Sequence, residues 1–286
     1  MIRRAAIALL LACAPVAHAQ ALDTFLWPPA FERAEIGAVF LSLSSTAQFP
    51  RMEAGPEANR VASTNGLAVF DRHEEALRLA LVAPQVGVNV AAVTMAPQDV
   101  EHRGEDAARY LDEVGASPMV RAIYAGQNNA NLGQPRVLRE TYTRYAKTIF
   151  CVANCLQLSR AVARTGQALE FVVFAGREGV TFRRFLLYRN GVPAGDHAVV
   201  AVNGNGERRR LRTNAQGLVE LPEDMHGPAL LTATVIKPPE GADTRFSSDV
   251  ATLTFIAPPA TARVLTTSPP PEPPPAQPPS VASVEP

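Results

Sequence analysis

The sequence predicts a mainly β protein, with two antiparallel β-sandwich domains, the second immunoglobulin-like, and one short helix in the first. Three observations predict this. Apolar residues alternate with polar ones through most of the 286 residues. Asn, Gly and Pro turns break the second half at intervals of about 8–14 residues. Only one stretch has helical period, so the crossover helices of a doubly wound fold are missing. At 47% hydrophobic and 19% charged, the chain can bury a core. The expected divisions are a signal peptide at 1–19, a β-rich domain with one short helix at 20–176, a sandwich at 177–257 and a Pro-rich tail at 258–286.

The leader reads MIRRAAIALLLACAPVAHAQ. Arg3 and Arg4 form a positive start, residues 5–16 are apolar, and Ala17-His18-Ala19 is a small-x-small cleavage site before Gln20. The expected location is the periplasm. Leu10-Leu11-Ala12-Cys13 also resembles a lipobox, and the alternative is a lipoprotein anchored at Cys13. Neither the leader nor any later segment reaches the roughly 20 apolar residues of a spanning helix. Processing leaves Cys151 and Cys155, an even pair suited to an oxidising compartment. An extended strand would hold their Cα atoms about 13 Å apart. A disulfide therefore requires residues 152–154 to fold back. A dithiol metal or redox site is the alternative, although two thiols make an incomplete metal site.

The first strand is expected at 35–43, with Val39, Leu41 and Leu43 on one face. Asn65-Gly66 marks a turn. Residues 77–83 and 86–95 are expected as neighbouring strands on either side of Pro84. Between 99 and 114, Ala107, Tyr110, Leu111 and Val114 recur at helical spacing, and Gly115 stands where a C-terminal cap belongs. Residues 117–135 read as loop, and 139–152 starts helix-like and ends strand-like, with Tyr142, Tyr145, Ile149 and Phe150 packing on the first domain. Strand 169–174 precedes a boundary near Gly176 and Gly179. The second unit has strands at 181–188, 198–202, 207–212, 218–221, 230–236 and 251–256. From Pro258 onward, 11 of the 25 prolines fall in 29 residues, a polyproline-II-like composition that suits a spacer or docking segment.

Lys+Arg and Asp+Glu balance at 27 each, and loss of Arg3 and Arg4 leaves a charge of about −2. That balance gives no broad attraction to nucleic acid or anionic membranes. Four histidines remain: His73, His102, His197 and His226. None has another His or Cys at metal-ligand spacing. Asp71-Arg72-His73-Glu74-Glu75 and Asp224-Met225-His226 set carboxylates beside a histidine, making His73 and His226 the candidate metal ligands. His102, between Glu101 and Arg103, reads as exposed. Glu105-Asp106 and Asp112-Glu113 are adjacent on a helix, diverge by about 100° and read as a solvated face. Ser44-Ser45 has no catalytic context, and no nucleophile elbow, HExxH or phosphate loop occurs, so no catalytic or cofactor-binding residue is assigned. Arg208-Arg209-Arg210-x-Arg212 reads as a charged guard on an edge strand, or as a stripe for an anionic polymer. Arg139, Arg144 and Lys147 form a candidate internal anion or ion-pair site.

Several segments then follow one another in a familiar order. They are Tyr110-Leu111-Asp112-Glu113-Val114-Gly115, Arg139-Glu140-Thr141-Tyr142-Thr143-Arg144-Tyr145-Ala146-Lys147-Thr148 and Gly166-Gln167-Ala168-Leu169-Glu170-Phe171. After them come Asn190-Gly191-Val192-Pro193-Ala194-Gly195, Thr213-Asn214-Ala215-Gln216-Gly217 and Ala251-Thr252-Leu253-Thr254-Phe255. With the opening Phe25-Leu26-Trp27-Pro28-Pro29 and Ile36-Gly37, the series resembles the NikM-like family (domain of unknown function 4198) of exported bacterial proteins. The resemblance implies a two-part β protein outside the inner membrane, its second half similar to Cna-B or transthyretin-like sandwiches. Some relatives are linked with nickel or cobalt uptake, which implies a divalent transition metal and an envelope or transporter partner. Members often carry a His just before the aromatic opening; here that stretch is Ala21-Leu22-Asp23-Thr24. The expected function is an exported, non-enzymatic accessory or binding protein, which the resemblance connects with transition-metal uptake. The alternative is a structural module that binds an envelope protein or glycan.

Overall fold

The computed structural model describes residues 23–127, 136–176, 179–241 and 243–259. The leader, Cys13 and most of the Pro-rich tail lie outside the described residues. In chain order the strands begin with β1 (Asp23–Trp27), β2 (Glu32–Arg33), β3 (Val39–Thr46), β4 (Val61–Thr64), β5 (Ala68–His73), β6 (Ala76–Leu81), β7 (Gly87–Met95) and β8 (Gln98–Arg103). Helices α1 (Gly104–Glu113) and α2 (Pro118–Gln127) follow, then β9 (Val137–Val152), β10 (Leu169–Gly176), β11 (Gly179–Arg189) and β12 (Val192–Pro193). The rest are β13 (Ala198–Asn203), β14 (Arg208–Arg212), β15 (Leu218–Glu220), β16 (Gly227–Lys237) and β17 (Phe246–Ala257). The fold is mainly β, with sheets packed as sandwiches and no closed barrel.

One large sheet runs β14-β13-β16-β17-β9-β7-β4. The 16-residue β9 is its axis. Its first half pairs antiparallel with β8 and its second half with β7, while β17 lies parallel to it on the other side, with Arg144 opposite Val250. Alternate residues of β9 point to opposite layers. Tyr145 and Ile149 join a core with Leu169, Phe171, Phe185 and Leu187 of β10 and β11, and with Leu231, Leu253 and Phe255 of the large sheet. Ala146, Phe150 and Val152 join a second core with Leu26, Leu41, Leu43, Leu77 and Leu79 from the sheet β1-β3-β6-β5. The large sheet is therefore covered on both faces, and each fully buried Phe or Leu contributes about 1.5–3 kcal/mol.

The structure corrects three sequence expectations. Residues 139–152 are strand throughout: because both faces of β9 are covered, the pattern loses its alternation. There are two helices among the described residues, since 118–127 is α2. Ser117 Oγ accepts from the Val120 amide at 3.3 Å, Pro118 occupies the first turn, and Val120 and Tyr124 bury on α1. The strands on either side of Pro84, β6 and β7, lie in different sheets and face each other across the second core. The expected boundary near Gly176 and Gly179 falls in a β10–β11 hairpin, and the β9–β17 pairing crosses it as well.

Other features match. Val39, Leu41 and Leu43 are buried together. The helix at 104–113 buries Ala107, Tyr110 and Leu111 and ends in a Gly115 of φ +64°, with the Ala116 amide donating to the Leu111 carbonyl. Asn190 and Gly191, at φ 50° and 80°, make the tight turn into β12. Cys151 and Cys155 are joined, their Cα atoms 5.5 Å apart, and the fold-back includes Ala153 at φ 60°.

Candidate functional site

A cavity of about 520 Å³ opens where β1 and the 54–60 segment stop short of α1, above one face of the large sheet. The strand β1 is fixed over that face by buried threonines: Thr252 Oγ1 donates to the Thr24 carbonyl at 2.6 Å, and Thr254 Oγ1 to the Leu26 carbonyl. That seating carries Asp23 and Thr24 to the rim. Small and β-branched residues, including Ala198, Val200, Thr234, Val250 and Val100, form the floor. Tyr142 and Arg144 rise from β9 on the same face, two residues apart as strand geometry requires.

The charged groups of the cleft divide into paired and unpaired. Arg72 meets Glu57 at 3.0 Å, and Arg208 bridges Glu113 at 3.0 Å and Asp23 at 3.8 Å. Burial raises the Asp23 carboxyl above its ordinary range, against the pull of Arg208 and the Thr232 hydroxyl. Arg60 donates instead to the Ala96 and Pro97 carbonyls and to Gln98 Oε1 at 3.2 Å. Arg144 donates from Nη1 to Thr24 Oγ1 at 3.0 Å, and its guanidinium lies 4.4 Å from the Tyr142 ring centre. Among the described residues, no carboxylate comes within 4.0 Å of Arg60 or Arg144.

A buried polar cluster stands at the α1 end of the cleft. Glu140, fully buried, accepts at Oε1 from Tyr110 Oη at 2.9 Å and from Ser248 Oγ. His102 stacks on Tyr110 with ring centres 4.1 Å apart, and its Nε2 is 3.8 Å from Glu140 Oε2. His102 Nδ1 and Glu140 Oε2 are buried without a hydrogen-bond partner among the described residues. Desolvation raises the Glu140 carboxyl, opposed by the hydrogen bonds from Ser248 and Tyr110. Desolvation also holds His102 below its ordinary value, opposed by Asp106. Both shifts favour the uncharged forms, as burial dictates.

The sequence candidates scatter. His102, expected to be exposed, is only 7% exposed because β8 turns it under α1. His73 ends β5 in solvent, 3.9 Å from Glu74, and His226 is exposed in the loop before β16. No three His, Cys, Asp or Glu side chains gather as a metal-ligand set among the described residues. The trio Arg139, Arg144 and Lys147 separates by strand parity. Arg139 is exposed and pairs with Glu101 at 3.2 Å. Lys147 points to the opposite layer, where its Nζ donates to Glu170 Oε2 at 2.5 Å and to the Phe171 carbonyl at 3.0 Å. Only Arg144 faces the cleft. In the arginine run, Arg208, Arg209 and Arg212 are tied to Glu113, Asp224 and Asp196 on the edge strand β14, as a charged guard would be. Helix carboxylates are held likewise: Asp106 by Arg109, Asp112 by Arg121.

Asp23, Thr24, Arg60 and Glu140 were not singled out from sequence, and Tyr142 was expected only as a packing residue. One signal was there to find: Glu140, Tyr142 and Arg144 alternate along a strand otherwise flanked by buried apolar positions. No family model matches the chain, and no curated protein matches it either.

Proposed function

We propose that this chain is an exported, non-enzymatic binding protein whose cleft between β1, α1 and the large sheet holds a small ligand. The cleft carries the reading. Its volume of about 520 Å³ lies within the roughly 300–1,000 Å³ typical of small-molecule sites. Its walls come from separate layers fixed by buried hydrogen bonds, so the site is formed before ligand arrives. The Cys151–Cys155 bond suits the oxidising compartment that the leader implies. Resemblance to the NikM-like family adds nickel or cobalt uptake as the setting, although His73 and His226, the ligand candidates read from sequence, are exposed and neither lines the cleft.

A second reading, an interaction module for an envelope protein or glycan, draws on a different surface. Phe40 and Phe70 are 49% and 47% exposed on the outer face of the small sheet, with ring centres 6.2 Å apart. One experiment separates the readings. Purified mature protein and its cleft-filling Thr234→Trp variant are screened by thermal shift against organic acids, sugars, amino acids, and nickel and cobalt chlorides. The cleft reading expects stabilisation of the wild type, about 2.7 kcal/mol at a hundredfold excess over Kd, that Thr234→Trp abolishes. Equal stabilisation of both proteins overturns it. A shift confined to the metals and indifferent to Thr234→Trp favours metal handling.

A further inference from the structure

The charges lining the cleft narrow the ligand class. Four guanidiniums, Arg60, Arg72, Arg144 and Arg208, face three carboxylates, Asp23, Glu57 and Glu113. The carboxylates are committed to Arg72 and Arg208. Among the lining residues this leaves one positive charge in formal excess, carried by the two arginines that have no carboxylate within 4.0 Å. They are not equivalent. The Arg60 head is tied to two backbone carbonyls and a glutamine, which hold it against the wall. Arg144 has one hydrogen bond, from Nη1 to Thr24 Oγ1, and one aromatic face beneath it. Its Nε and Nη2 make no hydrogen bond among the described residues.

That arrangement suits an incoming oxyanion. A guanidinium presents two parallel N–H groups along one edge, matching the two oxygens of a carboxylate. Thr24 and Tyr142 fix the plane in advance, so little side-chain freedom is lost on binding. The rest of the cleft is apolar or uncharged: Val100, Val200, Val250, Ala198 and Met95 line it. A single excess charge matches a monoanion better than a phosphate dianion. Accordingly, we infer that the cleft binds small organic carboxylates, the carboxylate seated on Arg144 and the apolar body lying over the floor of Val100, Val200 and Val250. This rests on the cleft reading above and specifies its ligand.

The test uses the mature chain at low salt, titrated calorimetrically with benzoate, cinnamate, succinate and citrate, with inorganic phosphate and glucose as comparison arms. A carboxylate with an apolar body is expected to bind one-to-one. Arg144→Gln should weaken it about 30-fold, as expected for loss of a charge-assisted hydrogen-bonded pair. Arg144→Lys, which keeps charge but loses the fork, should fall between. If Arg144→Gln fails to fold, phenylglyoxal labelling of unmutated protein gives the answer: Arg144 should be protected by the bound carboxylate. Failure of both benzoate and cinnamate to bind the wild type at millimolar concentration overturns the inference, as does preference for succinate or citrate over them, equal binding to Arg144→Gln or absence of protection. Preferential binding of phosphate or glucose, abolished by Thr234→Trp, overturns the carboxylate assignment while leaving the cleft reading intact.

Discussion

Replacing Lys147 with methionine keeps the aliphatic stem and removes the cation from the layer between β9 and β10. Lys147 and Glu170 are each 2% exposed, so neither charge is shielded by solvent. Breaking a buried pair from one side ordinarily costs about 3–5 kcal/mol. Here the orphaned carboxylate keeps three donors: the Thr165 amide at 2.8 Å, Thr165 Oγ1 at 2.8 Å and the Gly166 amide at 3.1 Å. The expected loss is therefore smaller, about 2–3 kcal/mol at pH 7.5, or roughly 4–12 °C in Tm for a chain of this size. The pH dependence follows from Glu170. Desolvation pushes its carboxyl up, but the Lys147 charge, the Lys147 hydrogen bond and the two from Thr165 outweigh it and hold it below its ordinary value. A lowered carboxyl stabilises the fold above its unfolded pKa, and that contribution is lost as pH falls through the folded value. The difference between wild type and Lys147→Met should thus shrink below about pH 4.5. Urea denaturation across pH 3.5–8, with Glu170→Gln completing a double-mutant cycle, measures it. An unchanged midpoint at pH 7.5, or a gap that widens in acid, would refute the reasoning.

Three further outcomes are expected. Glu140→Gln keeps the acceptor for Tyr110 and Ser248 but cannot ionise. Because burial raises the Glu140 carboxyl, its stabilising contribution is lost as pH rises, so the variant should match wild type near pH 4 and exceed it by about 1–2 kcal/mol at pH 8. His102 has the opposite slope but is common to both proteins; destabilisation at pH 8 would mean the ion is held by attraction. Converting Cys151 and Cys155 together to serine opens a very short loop and should cost about 2 kcal/mol in thermal denaturation, with no loss expected if the thiols are reduced in the native protein. Gly115→Ala forces a side chain onto φ +64° with its Cβ 2.5 Å from that of Ala198. It should cost at least about 1–2 kcal/mol and weaken ligand binding, because Ala198 and α1 both line the cleft.

The second half of the chain was legible because its turns are chemically marked. Asn190-Gly191 and Asn214-Ala215-Gln216-Gly217 reverse the chain where positive φ is needed, and the strands between them alternate. The axis of the fold was not. On β9 both faces are buried, so the apolar residues Tyr145, Ala146, Ile149 and Phe150 fall in adjacent pairs around Lys147 and Thr148, and the segment carries no period of two. Helix α2 was hidden by its neighbours, a Ser-Pro start that looks like loop and a polar tract after Gln127. The cleft draws on residues from Asp23 to Val250, brought together by β1 lying across β17, a juxtaposition that no local pattern encodes. Arg144 was noticed, but in the company of Arg139 and Lys147. Strand parity is what separates them, and it becomes available only once 139–152 is seen as one strand.

Native mass spectrometry of the protein released from cells by osmotic shock tests the central claim most directly. The account predicts one small acidic molecule per chain on the wild type, absent from Thr234→Trp and depleted on Arg144→Gln. A bare polypeptide mass for the wild type, or the same adduct on all three proteins, would contradict it.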